Sequence, residues 1–280
     1  MPPQAFFLIS AVFHYLGPSL AVLLFVRVDV LGVTWLRIAS AAVIFALWRR
    51  PWRIFGRLDR AGQCTLVLFG IVLAAMNTLF YLAIDRLALA TVGAIEFLGP
   101  IALAAYGART WRDTAALSLT IAGAVALTEF RFAGAPLGFA CAFGDCALFV
   151  LYVVLGHRIA NADDAGANGA MSGIDRLGAA MLIATVAVTP IGFADALPAF
   201  AHPGLLAAGI GVGVCSSVIP YVCDQLAMAR LPRASFALML ALLPVFALLI
   251  GAIVLRQIPT ARGLTGIALV VTGIAIHQRS

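Results

Sequence analysis

The chain contains no lysine and few charges of any kind. All 18 cationic side chains in its 280 residues are arginine, and charged residues make up 11% of the sequence, whereas soluble domains carry roughly 25%. The arginines occur singly or in short clusters near the ends of apolar runs, so the net charge of +6 does not form the continuous basic surface that binds nucleic acid. The composition therefore argues against a soluble domain and against a nucleic-acid partner.

The motifs that hold metals and nucleotides are also missing from the sequence. None of the five cysteines belongs to a Cys-x-x-Cys pair or to a Cys/His cluster, which are the usual sequence signs of a disulfide framework or a metal site. The phosphate-binding pattern Gly-x-x-x-x-Gly-Lys-Ser/Thr is absent as well. The sequence predicts no metal and no cofactor.

Ten apolar stretches fill nearly all of the chain. A helix needs roughly 20 apolar residues to cross a bilayer, and in hydrocarbon each segment must satisfy its own backbone hydrogen bonds, which favours helices. The predicted fold class is therefore an all-α integral membrane protein with ten transmembrane helices, in contact with the lipid bilayer. The predicted helices cover residues 5–26, 30–48, 63–84, 89–108, 114–130, 136–156, 175–194, 204–226, 233–255 and 262–277.

The arginines are distributed unevenly between the two sides of the predicted bundle. Five lie in the 49–62 connection, and with the N-terminus inside the cell the totals are 12 on the cytoplasmic side and five outside. Cytoplasmic loops carry such an excess. The distribution predicts that both termini are cytoplasmic.

The two halves of the chain resemble each other at an offset of 144 residues. Residues 86–91 (Arg-Leu-Ala-Leu-Ala-Thr) align with residues 230–235 (Arg-Leu-Pro-Arg-Ala-Ser), and the same offset places Pro100 on Pro244. A unit of five helices that occurs twice must be inverted in the membrane, because five is odd. Inverted repeats with interrupted helices are typical of transporters.

We therefore predict two inverted five-helix repeats, residues 1–131 and 132–280. Proline within a helix removes a backbone hydrogen bond and favours a kink. The predicted kinks or hinges fall at Pro18, Pro100, Pro220 and Pro244.

Three segments resemble the EamA type of the drug/metabolite transporter superfamily. They are residues 32–37 (Gly-Val-Thr-Trp-Leu-Arg), 76–84 (Met-Asn-Thr-Leu-Phe-Tyr-Leu-Ala-Ile) and 94–100 (Ala-Ile-Glu-Phe-Leu-Gly-Pro). The similarity extends over essentially the whole chain and is closest to the threonine/homoserine and aromatic-amino-acid exporters. It implies a ten-helix exporter of amino acids or related metabolites in the bacterial plasma (inner) membrane.

Four ionisable residues lie far from the ends of the predicted helices: His14, Arg37, Glu96 and Asp145. A charge at mid-bilayer costs at least about 2.5–3.5 kcal/mol on insertion scales, so these groups should face the bundle interior. Glu96 is the first candidate for binding an ammonium group or a proton, because small residues surround it on its helix. The alternative is a structural ion pair between Glu96 and Arg37.

The remaining candidates for substrate binding combine polar and aromatic side chains. Asp145 shares a helix face with Phe149 and Tyr152, which would form an aromatic wall beside the acid; a hydrogen bond from Asp145 to a neighbouring helix is the alternative. His14 could carry a proton or donate one structural hydrogen bond. A second helix face presents Asn77, Phe80 and Tyr81, where Asn77 could bind a carboxylate and the aromatic rings could enclose an apolar side chain or simply pack.

These features predict a secondary transporter that exports neutral amino acids, with Thr-, Met- or aromatic-like side chains, by alternating access. Protons are a candidate coupling ion. The alternative is a carrier of the same fold with another metabolite as cargo or with import direction. A membrane protease is disfavoured, because the nearest match to the Gly-x-Gly-Asp motif is residues 142–145, Ala-Phe-Gly-Asp.

Overall fold

The described part of the chain is a bundle of apolar helices. The computed structural model describes residues 3–107, 111–127, 135–161, 169–232, 235–236, 239–256 and 260–277. Its helices are α1 Pro3–Leu24, α2 Val30–Arg49, α3 Arg60–Ile84, α4 Leu89–Gly107, α5 Trp111–Leu127, α6 Pro136–Ala160, α7 Gly169–Phe200, α8 Pro203–Met228, α9 Leu243–Val254 and α10 Ala261–His277.

Six of the described helices, α1, α2, α3, α6, α7 and α8, are long and apolar enough to cross a membrane. The predicted class of all-α membrane protein is confirmed at this level, and the count of ten crossings stays a prediction. Most predicted bounds agree with the structure to within a few residues. One exception is α7, which is 32 residues long and continues through Pro190 and Pro198, where the sequence predicted an end at residue 194. The other is α9, which begins at Leu243, well inside the predicted helix 233–255.

Short polar segments connect the helices and fix where they begin. The Asp29 side chain accepts a hydrogen bond from the Leu31 backbone N–H at 3.0 Å, and Asp59 caps α3 through the Gly62 N–H at 2.8 Å. Such caps satisfy backbone donors that have no partner in the first turn. A 3₁₀ helix, Pro51–Arg57, joins α2 to α3.

Helix α8 changes its winding at mid-length. Residues Val214–Val218 form a π-helical turn between two α-helical parts, Pro203–Gly213 and Ile219–Met228. Single π-helical turns within α-helices are frequent at functional sites. Pro220 lies one residue into the second α-helical part and has no N–H to donate to the Ser216 carbonyl, one turn earlier.

The arrangement of the helices brings α1, α3, α6 and α8 around a common centre. Helix α1 packs against α8 and α9, α2 against α7 and α8, and α3 against α6 and α7. Helix α4 packs against α5, α6 and α9, while α5 packs against α10. Four buried tyrosines, Tyr15, Tyr81, Tyr152 and Tyr221, are among the largest side chains of this centre.

Gly17 allows α1 to approach the π-helical turn closely. A Cβ atom added at this residue would lie 2.1 Å from Ser216 Oγ and 2.6 Å from its backbone nitrogen. The Ser216 backbone nitrogen cannot move aside by a rotamer change, so a larger side chain at residue 17 must push α1 and α8 apart.

Gly17→Ala should therefore lower the free energy of unfolding by about 1–3 kcal/mol, the usual cost of overpacking. Gly211→Ala is the matched control, because no atom lies within 4 Å of a Cβ added there, and alanine in a helix interior is favoured over glycine by about 0.5–1 kcal/mol. Denaturant unfolding in detergent measures the change in the free energy of unfolding for both variants. Equal shifts in the two variants would contradict the close contact.

Candidate functional site

Polar side chains from six helices, α1, α2, α3, α4, α6 and α8, meet inside the bundle. Each exposes less than a tenth of its surface, although polar groups in such an apolar setting require partners. We call this group the central polar cluster. Its members are Ser10, His14, Tyr15, Arg37, Asn77, Tyr81, Glu96, Asp145, Tyr152, Ser216, Ser217, Tyr221 and Asp224.

Glu96 is held by two residues of α1. The Tyr15 hydroxyl donates to Glu96 Oε2 at 3.0 Å, and His14 Nε2 lies 3.5 Å from Oε1. The tyrosine reaches the carboxylate because Gly93, one turn before Glu96, has no side chain in its way: a Cβ there would lie 2.8 Å from the hydroxyl. The basic side chain beside Glu96 is His14, and the described residues form no Arg37–Glu96 ion pair, which was the alternative predicted from the sequence.

Arg37 instead supports the π-helical turn of α8. Its Nη2 donates to the Ser216 carbonyl at 2.8 Å, and its Nε donates to Ser217 Oγ at 2.9 Å. The carbonyl is the one to which Pro220 cannot donate, so the arginine supplies a replacement donor. The guanidinium also lies over the Tyr81 ring, 4.9 Å from its centroid, in the geometry of a cation–π contact.

Asp224 also belongs to the cluster, although it lies only four residues before the end of α8 at Met228. Ser10 Oγ donates to Asp224 Oδ1 at 2.5 Å, and the Tyr152 hydroxyl donates to Oδ2 at 2.6 Å. The spacing of Ser217, Tyr221 and Asp224, four and then three residues apart, places three polar groups on one face of α8. That periodicity was the signal in the sequence that could have identified them.

The predicted group on α3 divides between two roles. Asn77 Oδ1 accepts from the Tyr221 hydroxyl at 2.9 Å, while its amide donates to the Leu73 carbonyl at 2.6 Å. The Tyr81 hydroxyl lies 3.3 Å from Ser216 Oγ. Phe80 is buried beside Tyr81, with 6.2 Å between ring centroids.

Aromatic rings line the cluster on the side of α6. Tyr152 stacks on Phe149 and on Phe69, with centroid distances of 5.6 Å and 5.8 Å. Phe149 also lies 6.0 Å from the His14 ring. The two rings of the predicted aromatic wall therefore stack on each other, together with Phe69, which the sequence had not singled out. That this wall lies beside Asp145 stays a prediction.

Asp145 differs from the other two carboxylates. It is completely buried, and no described residue donates a hydrogen bond to either carboxylate oxygen. The charges of Glu96 and Arg37 both act on it. A buried carboxylate without a partner is unfavourable unless a cation or a proton joins it, so the cluster contains one acid whose partner the described residues do not supply.

The predicted kinks are described only in part. Pro18 lies inside α1, one residue after Gly17, and Pro220 directly follows the π-helical turn. The side chains of Pro100 and Pro244 lie outside the described residues. Within the described part of the chain, no group of three His, Cys, Asp or Glu residues could hold a metal ion.

The geometry suits a small ligand that carries opposite charges. Three buried acids, a histidine and an arginine lie together among aromatic rings, and no described residue partners the Asp145 carboxylate. Buried ionisable groups in a helical membrane bundle mark substrate and ion pathways.

The comparisons with known proteins place the chain in a class of transporters. Residues 136–277 match the EamA-like transporter family. The threonine/homoserine exporter RhtA of Salmonella typhimurium strain LT2 is 32% identical over 244 residues, which cover 86% of this chain and 79% of the exporter; the protein of the same name from Escherichia coli K12 is 31% identical over the same length. The chain also resembles a protein of known crystal structure, with a TM-score of 0.60 and 18% sequence identity over 99% of this chain and 97% of the other. At this identity the match shows a shared fold alone.

The chain belongs to the EamA-like transporter family. It is a multi-pass inner-membrane transporter and not an enzyme. The resemblance to the drug/metabolite transporter superfamily that the sequence motifs indicated is thereby confirmed.

Proposed function

We propose that the chain exports neutral amino acids of threonine or homoserine type from the cytoplasm across the inner membrane. The relatives that carry this activity in their names cover most of the chain. The observation that carries the proposal within the structure is Asp145, a buried carboxylate that no described residue partners.

The substrate's ammonium group would pair with Asp145, and its carboxylate would face the positive charge of Arg37. Both residues are buried in the central polar cluster, so a zwitterion would satisfy both charges in one orientation. Its side chain would contact the stacked rings of Phe69, Phe149 and Tyr152. Aromatic walls with a few convergent polar groups are the usual composition of small-molecule sites.

We further propose alternating access between two inverted repeats, with both termini cytoplasmic. Support comes from equivalent turns at the offset of 144 residues. Arg86 Nη1 donates to the Leu82 carbonyl at 2.8 Å, and Arg230 Nη1 donates to the Leu226 carbonyl at 3.2 Å. The backbone hydrogen bonds at the ends of α3 and α8 correspond in the same way. The Leu87 N–H donates to the Ala83 carbonyl, and the Leu231 N–H donates to the Ala227 carbonyl.

A contact across the proposed repeats gives independent support. Asn77 and Tyr221 are themselves 144 residues apart and are hydrogen-bonded to each other. Equivalent residues can touch only where they lie near the axis that relates two repeats. The central polar cluster would then lie at the repeat interface, where carriers of this kind bind their substrates.

Proteoliposomes loaded with labelled amino acids test the proposed function. We expect efflux of labelled threonine and homoserine that unlabelled threonine inhibits. Liposomes that contain the labelled amino acid but no protein should show no such efflux. If a proton enters as the zwitterion leaves, efflux should increase when the outside is acidic, because protons then enter down their concentration gradient. It should also increase when the inside is electrically negative, because the exchange moves one charge inward, which is worth about 2.3 kcal/mol per 100 mV. Flux of other metabolites alone, with none for neutral amino acids, would contradict the proposed cargo.

A further inference from the structure

A second charged site lies at the end of the bundle, away from the central polar cluster. The 3₁₀ helix Pro51–Arg57, the start of α3, the end of α6 and the start of α7 enclose a cavity of about 540 Å³. By the distribution of arginines, this end of the bundle is predicted to be cytoplasmic. The lining residues are Arg57, Leu58, Asp59, Ala61, Gly62, Thr65, Leu66, Arg158, Ile159 and Arg176. We call this space the arginine cavity.

The charges that line the arginine cavity do not balance. Arg57, Arg158 and Arg176 contribute three positive charges, and Asp59 contributes the one negative charge among the lining residues. The Asp59 carboxylate already accepts a hydrogen bond from the Gly62 N–H at the start of α3. Asp175, next to Arg176 in sequence, pairs with Arg49 at 2.6 Å, so the exposed Arg57 and Arg158 leave an excess of positive charge among the described residues that line the cavity.

The position of the arginines within the cavity favours a ligand that enters from the membrane surface. The Arg57 and Arg158 side chains are exposed at the ends of their helices, whereas Arg176 is buried and donates to the Ile159 carbonyl at 3.2 Å. The exposed pair can therefore reach an anion without breaking a described ion pair. Arginine guanidinium groups bind phosphate oxygens with two parallel hydrogen bonds.

The remaining wall of the cavity is apolar. Leu58, Leu66 and Ile159 line it, and Leu66 and Ile159 are almost completely buried. A free anion would gain nothing from such a wall, whereas an amphiphile would place its headgroup on the arginines and its first methylene groups on Leu58, which is half-buried and backed by the other two side chains. Basic pockets between transmembrane helices on the cytoplasmic side suit anionic lipid headgroups.

We propose that the arginine cavity binds the phosphate headgroup of an anionic membrane lipid. The lipid would neutralise the excess charge at this end of the bundle and bridge α3, α6 and α7. This site does not depend on the proposed transport function, because none of its residues belongs to the central polar cluster.

Native mass spectrometry of the delipidated full-length protein, titrated with phosphatidylglycerol, tests the proposal. Arg57→Gln combined with Arg158→Gln should weaken binding of the first lipid by about 30-fold, since each arginine near an anionic lipid contributes about fivefold. The matched control is Arg53→Gln combined with Arg60→Gln, which removes the same charge from exposed positions at the same end of the bundle but outside the cavity lining. The control should bind the lipid within about twofold of the native protein.

Two further arms identify the ligand. Phosphatidylcholine, which carries a phosphate but no net charge, should bind at least about tenfold more weakly than phosphatidylglycerol. Inorganic phosphate should not displace the lipid at equal concentration. Equal loss of binding in both double variants would show general surface attraction and overturn the site, and displacement by inorganic phosphate would assign the cavity to a free anion.

Discussion

Asp145→Asn is expected to reduce amino-acid flux per folded molecule by about 30-fold or more while leaving the protein folded. Asparagine has nearly the same volume but cannot pair with an ammonium group, and removing one partner of a buried charge pair costs about 2–5 kcal/mol. Folding should be unaffected or improved, because the native carboxylate accepts no hydrogen bond from any described residue. Efflux from proteoliposomes and unfolding in detergent measure the two effects.

Asp224→Asn is the matched control for this prediction. It makes the same chemical change in another buried acid, but one that accepts hydrogen bonds from Ser10 and Tyr152. Hydrogen bonds to a charged group are worth about 1.5–3 kcal/mol, so this variant should be destabilised where Asp145→Asn is not. If both variants lose stability equally, Asp145 has a structural role; if Asp145→Asn transports normally, it has no role in the site.

Glu96→Gln is expected to lower flux by about tenfold or more with a small loss of stability. Glutamine can still accept the hydrogen bond from Tyr15 but loses the charge that faces His14. Weakening one charge-assisted hydrogen bond should cost about 1–2 kcal/mol. Tyr15→Phe removes the hydrogen bond from Tyr15 to Glu96 but keeps the charge of Glu96. It therefore separates the effect of the hydrogen bond from the effect of the charge.

The double variant with Arg37→Gln tests which partner matters to Glu96. Arg37 donates to Ser216 and Ser217, not to Glu96. Its loss leaves the buried Ser216 carbonyl without that donor and should lower the free energy of unfolding by about 1–3 kcal/mol. The two losses of stability should add, and flux should not recover. Recovery of both stability and flux in the double variant would show that Arg37 and Glu96 act as an ion pair after all.

The class of the protein and the helix positions follow from the sequence because they depend on local properties. Length and hydropathy define most helices without reference to tertiary structure. The end of α7 was missed because Pro198, just beyond the predicted end, is a usual sign of a helix end, and in a membrane neighbouring helices can satisfy the freed backbone groups. A proline alone does not prevent the prediction, since the bounds of α1 and α8, which contain Pro18 and Pro220, agree with the sequence to within two residues.

The candidate site was predictable in its members but not in their pairing. Burial of His14, Arg37, Glu96 and Asp145 follows from the cost of charge in hydrocarbon. Opposite charges suggested an Arg37–Glu96 pair, but a π-helical turn some 180 residues away in sequence competes for the arginine. Contacts of this separation depend on the whole fold, and no periodicity within α2 or α4 reveals them.

The π-helical turn in α8 also restricts how the chain can change in length. Such a turn accommodates one residue more than a regular α-helix would in the same rise. Deleting any one residue from Val214–Val218 would therefore restore regular winding and leave Tyr221 and Asp224 on their face, but it would displace the Ser216 carbonyl and the Ser217 hydroxyl to which Arg37 donates. Homologous chains that keep these contacts should therefore show no gap in this stretch, even where the residue types differ.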